Sequence, residues 1–152
     1  MKIKNMYEPD EEDLLEWNSH PEDGWPESDW DMYVMDGGND EIVFRFANDL
    51  NCAKRLFFLH CLYYFVGGYY VGKYHSLDER TLVFTICNHK RLMKLLGMVN
   101  AQSAETVVAW KVKTLKLLAH EINFDSTFWF NYMFLDDIKK LDDEQAAGDN
   151  PA

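Results

Sequence analysis

Met32-Tyr33-Val34-Met35, Asp36-Gly37-Gly38-Asn39-Asp40 and Glu41-Ile42-Val43-Phe44-Arg45-Phe46 follow one another without interruption, and how they are read decides the fold class. Two short β-prone runs flank a five-residue turn rich in glycine, which is the pattern of a β-hairpin over residues 32–47. Ile42, Phe44 and Phe46 then share one face, with Val43 and Arg45 on the other. A lone hairpin is marginal in water, so it needs helices to pack on or a further strand, for which Lys2–Tyr7 is the candidate.

Downstream of the hairpin the apolar period turns helical. Asn48 or Asp49 can cap a helix to about Val66, with Leu50, Ala53, Phe57, His60 and Tyr64 along one stripe and Gly67-Gly68 as its stop. Ser76-Leu77-Asp78-Glu79 matches a capping box opening a helix to Gly97, although Thr81–Ile86 is also a plausible strand by composition. Ser103–Ile122 forms the clearest helical pattern, and Asp125-Ser126 opens another in which Phe128, Tyr132, Leu135, Ile138 and Leu141 fall on one side. The expectation is a single α+β domain, predominantly helical, with an N-terminal hairpin on about four helices. Its core spans residues 48–141, and residues 142–152 form an acidic tail that packs little.

Upstream of the hairpin, residues 1–31 form an arm of acids, tryptophans and prolines. Asp10–Trp17 can make a short helix behind Pro9, and His20–Asp31 is denied regular structure by Pro21, Gly24 and Pro26. The chain has 152 residues, the size of one domain, and 47% of them are apolar, enough for a core.

Charge is distributed unevenly. Residues 1–43 set two lysines against 14 acids, a net of −12; residues 44–120 carry 11 bases against four acids, +7; residues 121–152 return to −6. The total of −11 argues against a simple nucleic-acid binder. A stripe of His89, Lys90, Arg91 and Lys94 with Lys111, Lys113 and Lys116 could track a phosphate backbone, but helices also need solvated outer faces, and acidic flanks would repel nucleic acid.

The motifs of common chemistries are missing. Five histidines show neither H-E-x-x-H nor the Glu-x-x-His pairing of di-iron bundles, and His120-Glu121 are adjacent, so on a helix they diverge by about 100°. His60 and His89 lie on apolar stripes where they could meet, or serve as ordinary hydrogen-bonded core histidines. Cys61 beside His60 has no orienting third group, and no Gly-x-Ser-x-Gly or P-loop occurs. No metal or cofactor is expected, and the purified protein should carry no stoichiometric zinc or iron.

Cys52, Cys61 and Cys87 are odd in number and form no C-x-x-C pair, which favours free thiols in a reducing, cytoplasmic compartment; the first residues lack the apolar run of a signal peptide. Leu56–Gly72 holds 17 residues without formal charge, short of the roughly 20 apolar residues of a membrane span and interrupted by His60 and four tyrosines. A buried core helix is the expectation.

The arm carries the strongest functional signal. Glu22, Asp23, Glu27, Asp29 and Asp31 are interleaved with Trp25, Trp30 and Tyr33, joining aromatic anchors to carboxylates that steer encounter with a basic surface. These eight residues are the candidate partner-binding set. The bland reading is that the tryptophans pack into this chain's own core, or that the acids neutralise its own basic centre. A non-enzymatic binding protein for a basic protein partner follows as the expectation, an inhibitor or immunity-type protein against a nuclease toxin being its sharpest form. An enzyme with a dispersed site, or a regulatory module using the basic helices, are the alternatives.

Overall fold

The computed structural model describes residues 2–75, 79–125 and 129, side chains at 71–87 excepted. Six helices run through them: α1 (Glu11–Asn18), α2 (Trp30–Asp36), α3 (Asp40–Asn48), α4 (Arg55–His75), α5 (Glu79–Met98) and α6 (Glu105–Leu118). No strand occurs among the described residues, so the hairpin over 32–47 is replaced by two short helices and Lys2–Tyr7 is not a strand. The fold is helical.

Burial explains the correction. In α3 the buried residues are Ile42, Val43, Phe44, Phe46 and Ala47, and the pairs 42/43 and 46/47 recur at four-residue spacing, as one face of a helix requires. The alternation Ile42, Phe44, Phe46 is embedded in that wider apolar face and mimics a strand. In α2, Trp30 and Val34, then Asp31 and Met35, repeat the same four-residue interval. The glycines between them do form a turn, with Gly38 in the left-handed region at φ +74. Gly37 is closely packed: a Cβ there would lie 3.3 Å from the carbonyls of Pro9 and Tyr33. Asn39 latches this corner, its Nδ2 donating to Pro9 O and Val34 O, both at 2.9 Å.

α1 starts as anticipated. Asp10 accepts from the Asp13 amide and Asp13 accepts from the Asp10 amide, a reciprocal capping box. α4 differs in its limits, beginning at Arg55 and continuing through Gly67-Gly68 to His75. Buried contacts hold it together there: Gly67, Tyr69 and Tyr70 are inside, and tertiary packing overrides two poor helix formers. α5 covers Thr81–Ile86 as helix, and α6 is close to its anticipated span. Ser76–Asp78 and the helix expected beyond Asp125, with the acidic tail, lie outside the described residues apart from Trp129.

α4 is the axis on which α2, α3, α5 and α6 pack. Its apolar character all round is that of a central helix, and none of the helices among the described residues is long and apolar enough to cross a membrane. Arg55, at its start, is fully buried; Nε donates to Ala47 O and one guanidinium nitrogen to Thr106 Oγ1, both at 2.7 Å, which ties α3, α4 and α6 at one point. Arg91 of α5 clamps Asp40 at 2.9 and 2.5 Å and also donates to Met35 O at 2.6 Å, closing the α2–α3 corner onto α5.

Candidate functional site

The arm is pinned to α4 by its tryptophans. Trp17 is 1% exposed, edge-on to Trp30 and to Phe57 with ring centroids 4.8 Å apart in both pairs. Its Nε1 donates to Gly24 O, and that of Trp30, wholly buried, to Met6 O, both at 3.0 Å. Each indole thus closes a loop of the irregular chain while satisfying its own polar atom. The lack of regular structure in 19–29 does not make this segment a loose tail.

Between those two anchors the chain bulges outward and carries Trp25, which is 43% exposed and stands edge-on to Phe57 at 4.9 Å. Glu22, Asp23 and Asp29 are exposed and Glu27 is half-buried. Among the described residues none of these four carboxylates enters an ion pair, and Glu27 accepts only a local bond from Ser28 Oγ. Other N-terminal acids behave differently. Glu11 faces Arg45, Asp40 is clamped by Arg91, and Glu41 meets Lys94. Neutralisation of the basic centre by the chain's own acids therefore occurs, and it leaves the Glu22–Asp29 group unspent.

Three of the eight candidate partner-binding residues sit elsewhere than on that outward face. Trp30 is in the core, and Asp31 is 7% exposed, with a carboxylate oxygen 3.2 Å from His60 Nδ1. Tyr33 is half-buried, packed edge-on against Tyr7 at 5.4 Å, and its phenol is pushed up by burial and then by the nearby Asp29 and Glu27 carboxylates. Glu22, Asp23, Trp25, Glu27 and Asp29 are the ones left exposed or half-buried along this segment, and Asp23 and Trp25 border one cleft.

Beside Trp25 opens a cleft of about 300 Å³, walled by Trp17, Phe57, Leu56 and Pro21 and bordered by Asp23, Lys54 and His60. Lys54 is 93% buried by its 7% exposure; its ammonium lies 4.4 Å over the Trp17 ring and donates to Asp23 O. Burial lowers the Lys54 pKa, with the Asp23 and Glu22 charges acting in the opposite sense. Lys54, Leu56 and Phe57 escaped the sequence reading because they belong to α4 and its approach, far along the chain from the arm. Only the helical stripe through Phe57 and His60 could have pointed there.

Acid–base or nucleophilic chemistry finds few of its parts. The His60–Asp31 contact has Cys61 beside it in sequence, but that thiol is fully buried and its pKa pushed well above the ordinary value by desolvation. His60 and His89 do not meet: His89 Nδ1 is 3.0 Å from the Tyr69 hydroxyl. Among the described residues no group of three His, Cys, Asp or Glu side chains could hold a metal ion.

The acids of α2 reach Tyr64 on α4. Burial, followed by the charges of Asp36, Asp31 and Asp29, pushes its phenol up to about 12. The fold therefore holds the phenol proton more tightly than the unfolded chain, where it is lost near 10. This contribution to stability is complete below that pH and falls away progressively as pH rises to about 12. Titration of tyrosinate absorbance should show a late component that Tyr64→Phe reduces, and the same variant should soften alkaline unfolding; a profile unchanged by the substitution would contradict this placement.

No protein-family model matches this chain, nor does any curated protein or solved structure.

Proposed function

We propose that this chain is a non-enzymatic binding protein whose Trp25 surface engages a basic protein, in the manner of an inhibitor or immunity-type protein that neutralises a nuclease toxin. The observation that carries the reading is the exposed Trp25 set among Glu22, Asp23, Glu27 and Asp29, none of them in an ion pair among the described residues, on a segment anchored by Trp17 and Trp30. An unspent acidic cluster costs self-repulsion, which a basic partner relieves. A large, preorganised aromatic in its midst supplies what carboxylates alone lack, namely apolar area that excludes water. Carboxylates would occupy a site shaped for phosphates, and the indole would seal it.

A cytoplasmic setting belongs to the same proposal: Cys52 and Cys61 are free and buried, as thiols are in reducing compartments. The test is affinity purification of the full chain from its host at low and high salt. Recovery of a basic nuclease, released by salt and no longer toxic when co-expressed with this chain, is the expected result. Absence of any enriched basic protein at low salt would contradict the proposal.

A further inference from the structure

We infer that the cleft beside Trp25 seats an arginine side chain of the basic partner, an inference that rests on the binding role proposed above. The space, about 300 Å³, is at the small end for ligand sites and suits one long side chain. Its walls are aromatic and aliphatic, while its border carries Asp23, with Glu22 next to it in the chain; both are exposed and outside every ion pair of the described residues. An occupant with an apolar stem and a cationic head matches both features.

The chain itself shows how such a head is held. Lys54 lays its ammonium on the Trp17 ring and donates to the Asp23 carbonyl, so indole face and arm backbone already act together as a cation receptor. That receptor is filled, and Trp17 is buried; Trp25 retains the accessible ring. Lys54 already occupies the Trp17 face and the Asp23 carbonyl, and the His60 ring, 5.5 Å from that of Trp25, adds a further flat wall to the cleft. A guanidinium is more weakly hydrated, stacks on an indole and pairs side-on with a carboxylate, so Trp25 with Asp23 or Glu22 accommodates it at lower cost than lysine.

The test uses the full chain and two probes of equal charge: a fluorescent five-residue lysine peptide, and the same peptide with arginine at its centre. The arginine peptide should bind about fivefold more tightly, within the range of a stacked cation–π contact. Trp25→Ala should erase that preference while leaving salt-sensitive binding of both peptides, and Trp25→Phe should restore part of it. Glu22→Gln with Asp23→Asn should weaken both peptides. Equal affinities for the two peptides, or a preference that survives Trp25→Ala, would overturn the arginine seat and leave the acidic surface standing. Failure of both peptides to bind at low salt would overturn the seat and the surface together.

Discussion

Replacing Arg55 with alanine is expected to remove about 3–5 kcal/mol of stability, because two charge-assisted hydrogen bonds go with the buried side chain. The guanidinium is wholly inaccessible and is bonded to the end of α3 and the first turn of α6, so its loss removes the donors to Ala47 O and Thr106 Oγ1 in the core. Hydrogen bonds to charged groups contribute about 1.5–3 kcal/mol each, and this one side chain makes both of these. Urea unfolding should show the midpoint falling with its slope retained. Arg55→Lys should be intermediate, since it keeps the charge without the fork. A loss below about 1 kcal/mol for the alanine variant would mean that the three helices are not joined through this residue.

Trp30→Ala is the second large effect, at about 3–5 kcal/mol for truncating a fully buried indole. It also removes the indole donor that ties Met6 O to the core. Trp25→Ala should cost clearly less, because Trp25 is already 43% exposed. Deletion of residues 1–31 takes away Trp17 and Trp30 together and should abolish cooperative unfolding. A truncated chain that still melts cooperatively would show that the arm is no part of the core.

Much of the helical frame was legible. Pro9 with the acids that follow it, and the period of α6, are local signals, and local structure follows them. Residues 32–47 misled for a physical reason: a short helix buried over a wide face contains alternating apolar residues, so Ile42, Phe44 and Phe46 fit both periods. Gly67-Gly68 misled in the other direction, because a stop signal worth about 1 kcal/mol per glycine is outweighed when the helix beyond it is packed.

The candidate site was half legible. Composition marked the Trp- and acid-rich arm, and five of the eight candidate residues are exposed or half-buried on it outside the core. Which indoles turn inward depends on Gly24 and Met6 carbonyls and on Phe57 in α4, partners that no spacing rule within the arm announces. The cleft itself joins the arm to a helix some thirty residues later, and only tertiary packing brings them together.

The acidic surface can be neutralised without disturbing that packing. Glu22, Asp23, Glu27 and Asp29 are exposed or half-buried, and none makes a side-chain cap or ion pair among the described residues, so their four amides keep the fold's contacts. The decisive measurement is the affinity of the co-purified basic protein for the wild-type chain and for Glu22→Gln, Asp23→Asn, Glu27→Gln, Asp29→Asn combined, at two salt concentrations. The expected result is at least a hundredfold weaker binding by the amide variant, with most of the salt dependence gone, since exposed charges act within a screening length of about 8 Å at physiological ionic strength. Equal affinity of the two chains at low salt would contradict the claim that this face binds by its charge.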